Sequence, residues 1–537
     1  MNVYEIISFG LYLLVVLAIG IWFFFKGKTE SEKDYFLGGR KMSGLVAALS
    51  AGASDMSAWC LMGLPGAIYL VGMGQVWISV GLIIGTILAW IFIAPRLRVY
   101  AIKANDSITI PQFLTNRFLS KSAVLRLVCA IVFLVAYCIY MASSLVACGN
   151  LFSTLTGGFI DKTWGMVIAG LIIIAYTMLG GFNAVCWTDF IQGMLMLAAI
   201  MLLPIIMLIM MGTGNLAEGF MPWLTAGEDT LHLESSNYFN LLSSGNVDWE
   251  SISSILSGLG WGLGYFGMPH IIVRYMSIKS KKEMRKSQIV GSCWTFAILV
   301  MAAVFALVAH NFVGSMSVYL NNEGERVAEM VFVDVVRQIF KWGPLALIGG
   351  LLVSAIIAAS MSTADSQLLL ASSAFASDIF KGTIKKNATD KQMVWVSRIV
   401  VVVISIIAFV IAFFGDSIMK LVSDAWAIFG AAFSPAIILA LYWKRFNYKG
   451  CVSGIIAGFV VSCIWVFVKI DGATIGTITN LYAIIPGFIA GLAASIIGTL
   501  VTKAPTNEVM QLFDEVRNSD ELKYNIPEQD EAVKENA

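Results

Sequence analysis

Leu49-Ser-Ala-Gly-Ala-Ser-Asp-Met-Ser-Ala-Trp-Cys-Leu-Met-Gly-Leu-Pro-Gly66 sits in the middle of an apolar run long enough to cross a bilayer. A helix facing lipid is expected to be apolar and unbroken, because an unmet backbone amide or carbonyl there costs several kcal/mol. Three glycines, three serines and an aspartate within one span contradict that expectation. They make sense if the helix is interrupted and the backbone groups it releases bind something. Interrupted helices build binding sites at the bilayer midplane.

The chain has 537 residues, 58% apolar and 13% charged, about half the charged fraction of a soluble domain. Thirteen apolar runs of span length recur, near 4–25, 43–71, 74–95, 123–152, 164–181, 184–213, 250–277, 288–313, 343–377, 393–414, 418–443, 450–469 and 478–501. The first has no basic leader and is long, so it reads as a true span and not as a cleaved signal peptide. With the N-terminus outside and the C-terminus in the cytoplasm, 29 of the 35 Lys and Arg residues fall on inward loops, including the stretch from Arg274 to Lys286. The outward side keeps Lys162, Arg326, Arg337, Lys341, Lys420 and Lys469. Such a bias follows the positive-inside rule and sets the expected orientation.

The outward segment 215–250 holds six acidic residues and no Lys or Arg, and reads as a solvated loop. All eight cysteines fall in or beside apolar runs with no zinc spacing, and are expected as buried free thiols. Residues 1–502 are thus expected to form one transmembrane domain. The polar tail 503–537 is expected as a short helix followed by disorder. No glycine-rich phosphate loop or soluble appendage is visible, so the chemistry must sit in the membrane.

A second interruption begins at Ser251: Ser-Ile-Ser-Ser-Ile-Leu-Ser-Gly-Leu-Gly-Trp-Gly-Leu-Gly-Tyr-Phe-Gly-Met-Pro-His, with five glycines between Gly258 and Gly267 and then Pro269. This density exceeds what transmembrane packing usually needs. The broken spans are the second and the seventh. An offset of five turns the second copy upside down, so the pattern predicts an inverted repeat over about 43–213 and 250–443. One N-terminal and two C-terminal spans are left outside it.

In the first break, carbonyls of residues such as Ala53 and Met56 could hold a small hard cation, which prefers oxygen ligands. Asp55 is ionisable at mid-membrane and therefore a functional candidate; the competing reading is a tight helix crossing with Asp55 paired elsewhere. In the ninth span Ala359, Ser362, Thr363 and Ser366 share one helical face. Their hydroxyls either complete an oxygen cage for Na⁺ or bond back to their own helix. The aromatic pair Trp261 and Tyr265 is, on spacing alone, ordinary packing.

Several motifs carry a resemblance. Ser-Ala-Gly-Ala-Ser-Asp-Met-Ser from Ser50, Gly-Leu-Pro-Gly from Gly63, Trp-Gly-Leu-Gly-Tyr-Phe-Gly at 261–267 and Met-Ser-Thr at 361–363 resemble the sodium/solute symporter family, and within it the sodium/proline symporters. The resemblance runs from Asp34 to Pro505. It implies an all-α membrane fold of the leucine-transporter type, Na⁺-coupled uptake by alternating access, and placement in the bacterial inner membrane. It implies a sodium position at Ala53, Met56, Ala359, Ser362 and Thr363, with Asp55 essential nearby. It also implies a proline pocket at Ser57, Tyr140, Trp261, Tyr265 and Pro269. Asp189 resembles a family acid of the ion pathway, otherwise a helix-end cap near the cytoplasm; with Asp365 and Ser366 it is a candidate second cation site. Ala58, Met268, Asp365 and Asp424 depart from the family pattern. His270 and His310 are expected to be structural.

The expected cofactor is Na⁺ as coupling ion, with no organic group. The expected partners are a small amino acid and the bilayer, with no nucleic acid and no obligate protein. A proton-coupled carrier and a transport-derived sensor remain alternative readings. A membrane enzyme is disfavoured, since no nucleophile–base pair, metal cluster or cofactor motif is visible.

Overall fold

The computed structural model describes residues 3–26, 32–212, 237–313, 327–340, 343–385, 387–415 and 417–522. Spans 1 to 6 are Val3–Lys26, the bent pair Gly44–Asp55 and Trp59–Val71, Met73–Lys103, Val124–Leu155, Lys162–Ala175 and Gly181–Met211. Span 7 is divided into Trp249–Gly260, a tight 3₁₀ stretch Trp261–Phe266 and Pro269–Ser277. Spans 8 to 13 are Lys281–Val313, Leu345–Ile384, Asp390–Phe413, Ile418–Tyr442, Tyr448–Phe467 and Ile484–Leu500. Among the described residues, eight of these are long and apolar enough to cross a bilayer as single helices, and span 2 makes a ninth despite a 61° bend. Spans 1, 5 and 13 contain shorter apolar helices.

Polar side chains mark where the helices begin. Ser43 accepts from Val46 N at the start of span 2, Asp248 from Ser251 N at span 7 and Asn447 from Gly450 N at span 12. Each satisfies an amide that the first turn leaves open. Spans 5 and 6 join without a loop, because Gly181 takes a φ of +61° that a side chain would resist. The one strand pair among the described residues, Lys469–Ile470 against Ala473–Thr474, turns on Asp471-Gly472 between spans 12 and 13.

The most apolar stretches of spans 9 and 11 are 78% and 83% buried, whereas those of spans 6 and 10 are 33% buried. Spans 9 and 11 therefore form the interior, and spans 6 and 10 turn a face toward lipid. Both broken spans lean on this interior, span 2 against span 9 and the middle of span 7 against span 11.

The glycines of span 7 have a packing role that the density argument underrated. A Cβ at Gly262 would lie 2.2 Å from the Gly81 carbonyl of span 3, and one at Gly264 would lie 2.3 Å from the Trp426 indole nitrogen of span 11. Close backbone approach and helix interruption are served by the same residues.

Three other expectations need correction. Arg274 is not on an inward loop; it is 1% exposed in the last segment of span 7. Cys293 is exposed and Cys463 half-buried, against the expectation of uniformly buried thiols. Asp189 lies inside the span 6 helix, so it is not a helix-end cap. The tail helix appears at Asn507–Arg517, packing Val509, Phe513 and Val516 inward. The expected disorder beyond it, from 523 on, and most of the acidic 215–250 segment lie outside the described residues.

Gly262→Ala is expected to destabilise the protein by about 2–3 kcal/mol, since its neighbour is backbone and cannot step aside. Gly170→Ala, whose Cβ would meet its nearest atom at an ordinary 3.5 Å, should be tolerated. Thermal unfolding of both detergent-purified variants checks the contrast.

Candidate functional site

The first half of span 2 ends because Met56 leaves helical geometry, at φ −81° and ψ 68°. In a continuous helix Ser57 N would bond the Ala53 carbonyl, and Cys60 N the Met56 carbonyl. Here Ser57 N donates to Asp55 O at 2.9 Å and Cys60 N to Ser57 O at 3.0 Å. The carbonyls of Ala53 and Met56 are thereby released from their helical partners.

Span 9 meets one of them. The Ser362 hydroxyl lies 2.8 Å from Ala53 O and 3.0 Å from Ala359 O. It has one proton for two acceptors, so three oxygens converge with a deficit of hydrogen. The neighbouring Thr363 hydroxyl is buried and has no hydrogen-bond partner. Such a set is poor as a closed hydrogen-bond network and well suited to a hard cation.

Asp55 organises the break from its centre. Its carbonyl accepts from the Trp59 indole at 3.1 Å and from the Tyr140 hydroxyl at 3.3 Å. One carboxylate oxygen accepts from the Tyr265 hydroxyl of span 7, while the other, also buried, has no hydrogen-bond partner. Asp55 thus ties span 2 to spans 4 and 7. The Tyr140 hydroxyl is also within reach of Ser57, which brings three of the expected pocket residues around one turn of backbone.

Trp261 closes this region with stacked rings. It packs on Trp59 at 5.9 Å, Trp426 at 6.1 Å and Tyr482 at 5.0 Å, the last nearly parallel at 24°. Trp426 in turn donates to the Trp261 carbonyl at 2.9 Å. Pro269 begins the last segment of span 7, where its missing N–H is no loss. Ala58 and Met268 are both buried. Trp261 also lines a cavity of about 650 Å³, together with Tyr482, Lys420 and Asp424. Asp424 is held there by Lys420 at 3.0 Å.

Asp189, Asp365 and Ser366 do come together, and a protein cation lies among them. The Arg274 guanidinium pairs with Asp189 at 3.1 Å and donates to the hydroxyls of Ser50, at 3.1 Å, and Ser366. Ser50 donates to Asp189 at 2.7 Å, and Ser366 to Asp365 at 3.2 Å. His270 packs its ring between Tyr137 and Tyr140, and His310 stacks on Tyr238 at 4.0 Å.

Sequence reasoning missed Trp59, Trp426, Tyr482, Ser50 and Arg274. Trp59 and Ser50 lie inside the decisive stretch, and their indole and hydroxyl could have been flagged as polar groups needing partners in lipid. Arg274 follows the second break by only a few residues, where an inward loop was expected.

A sodium:solute symporter family model matches residues 35–458. The osmoregulated proline transporter OpuE of Bacillus subtilis (strain 168) is 38% identical, covering 96% of this chain and 98% of its own length. The high-affinity proline transporter PutP of the same organism is 39% identical over 93% of this chain and 99% of its own. A sodium/proline symporter of Staphylococcus aureus (strain JH9) is 38% identical over 95% of each. Among solved structures, a Na⁺-coupled sialic acid symporter superposes with a TM-score of 0.74 at 20% identity, covering 94% of this chain and 99% of that one. MhsT, solved in complex with L-phenylalanine, gives 0.52 at 15% identity over 85% of this chain and 98% of that one. These likenesses show the leucine-transporter type of fold, with its inverted five-helix repeat.

Tyr265→Phe should leave the buried Asp55 carboxylate without its hydroxyl donor and cost about 1.5–3 kcal/mol of stability. Added Na⁺ should recover part of the loss in a thermal melt, because a bound cation offsets the same charge.

Proposed function

This chain belongs to the sodium:solute symporter family, and we propose that within it the protein carries L-proline into the cell together with Na⁺. It is a multi-pass membrane transporter and not an enzyme. The observation that carries the ion half of this reading is the Ser362 hydroxyl shared between Ala53 O and Ala359 O beside the unpartnered Thr363. In this reading Na⁺ is held by oxygens of Ala53, Met56, Ala359, Ser362 and Thr363. Asp55 supplies the nearby negative charge and requires no direct ligation. No organic cofactor takes part.

The substrate half rests on the proline transporters named above and on the chemistry of the second site. A zwitterionic amino acid needs a donor for its carboxylate and an acceptor for its ammonium. The broken ends of spans 2 and 7 supply both kinds of backbone group. Ser57, Tyr140 and Tyr265 contribute hydroxyls, Trp261 an aromatic face for the pyrrolidine ring, and Pro269 the turn that frees the backbone before it. The two repeats, about 43–213 and 250–443, would move against each other around this point. The N-terminus faces outward and the tail the cytoplasm of a bacterial inner membrane, as the distribution of Lys and Arg supports.

One Na⁺ is energetically sufficient. A single charge gains about 2.3 kcal/mol per 100 mV, and a tenfold Na⁺ gradient adds about 1.4 kcal/mol. Together, roughly 3.7 kcal/mol supports accumulation of a few hundredfold.

In proteoliposomes, proline uptake should follow an imposed Na⁺ gradient. Asp55→Asn, or Ser362→Ala with Thr363→Ala, should abolish the Na⁺-stimulated component. Full uptake with unchanged Na⁺ dependence in the double variant would sink the ion site. Uptake driven by a pH gradient without Na⁺ would select proton coupling instead.

A further inference from the structure

The cluster around Arg274 is not used by the ion or substrate site, yet it is bound to both broken spans. Its position follows from register. Ser50 lies three residues before Ala53 in span 2, and Ser366 four residues after Ser362 in span 9. Each is therefore about one helical turn from the Ala53–Ser362 contact. Given the orientation proposed above, on which this inference rests, both displacements point toward the cytoplasm. The cluster stands between the ion site and the inside of the cell.

Arg274 is carried by Pro269–Ser277, the segment of span 7 inward of its break. Its guanidinium is held by groups on three other elements: Ser50 of span 2, Asp189 of span 6 and Ser366 of span 9. It also donates to the His270 carbonyl of its own segment. Arg274 is 1% exposed and Asp189 fully buried. A buried pair of this kind is held firmly while intact, and losing one partner strands a charge in low dielectric. Asp189 is nonetheless not saturated, because its Oδ1 is buried without a hydrogen-bond partner. The other carboxylate oxygen, Oδ2, accepts from both Ser50 and Arg274.

We propose that Arg274 is the inner latch of the carrier: a tethered cation that pins the inward segment of span 7 to spans 2, 6 and 9. Arg274 is thus a positioning residue, touching neither substrate nor the bound ion. The latch keeps the inward path shut while span 7 is docked.

The protein has its own reporter. Cys186 lies three residues before Asp189, is fully buried, and is within reach of the Ser50 hydroxyl. Its alkylation by a small maleimide, read by mass spectrometry on the full chain in proteoliposomes, measures access to the cluster. The wild-type thiol should react slowly. Arg274→Met should speed Cys186 labelling at least tenfold while proline binding stays within about threefold, and Arg274→Lys should restore slow labelling. Asp189→Asn with Arg274→Met removes both charges, so it keeps the test alive if the single variant does not fold. It should label as fast as Arg274→Met. A folded double variant that labels at the wild-type rate overturns the latch. Labelling reads access and not transport, so a failure of proline binding in the wild type would sink the proposed substrate and leave the latch standing or falling on its own result.

Discussion

A backbone carbonyl released in mid-membrane must find a partner, and the structure depends on how the Ala53 carbonyl finds one. Its helical donor, Ser57 N, turns instead to Asp55 O. The Ser362 hydroxyl of span 9 comes to within 2.8 Å of it from another helix. A hydroxyl shared with Ala359 O is an incomplete answer in a medium where water cannot help. In the proposed reading, a cation completes it. The break is thus tolerable in lipid only because an interior helix stands opposite, and useful only because the satisfaction is partial.

The second break is held by different means. Span 7 presses its glycines against backbone, Gly262 on Gly81 of span 3 and Gly267 on Ser434 of span 11. Trp426 reaches across to the Trp261 carbonyl. Close approach lets neighbouring helices supply polar groups where the 3₁₀ stretch leaves its own carbonyls strained or free, as the Ser434 hydroxyl does for Leu263 O at 2.7 Å. Span 2 is held open by a hydroxyl and an acid, span 7 by packing and an indole.

Both breaks were legible in the sequence because Gly, Ser, Pro and Asp in an apolar run violate a strong physical rule. So was the Ser362–Thr363 face, which shows in helical periodicity. Arg274 was not. Counting positive charge by loop treats any Arg near a span end as solvated, and the count carries no information about the Asp189 that sits 85 residues away in sequence. The glycines were read as looseness because a sequence does not say that Gly81 and Gly85 of another span face them. Trp426 and Tyr482 looked like ordinary apolar residues for the same reason: a stack of rings drawn from spans 2, 7 and 11 and the loop before span 13 leaves no local pattern.

Coupling requires that ion and substrate each favour a conformation the other also favours, and the effect must be reciprocal in affinity. Asp55 provides a physical route. Its carbonyl accepts from Trp59 and Tyr140, on the side of the proposed substrate pocket, while its carboxylate accepts from Tyr265 of span 7. A cation at Ala53 and Ser362 would stabilise the ionised carboxylate and, with it, the Tyr265 contact that docks span 7. Substrate packed against Tyr140 and Tyr265 would hold the same backbone turn in the geometry that keeps Ala53 O free. Neither ligand needs to touch the other. In this reading both would bias one element, the bend at Met56, and the free energy each contributed to it would be available to the other.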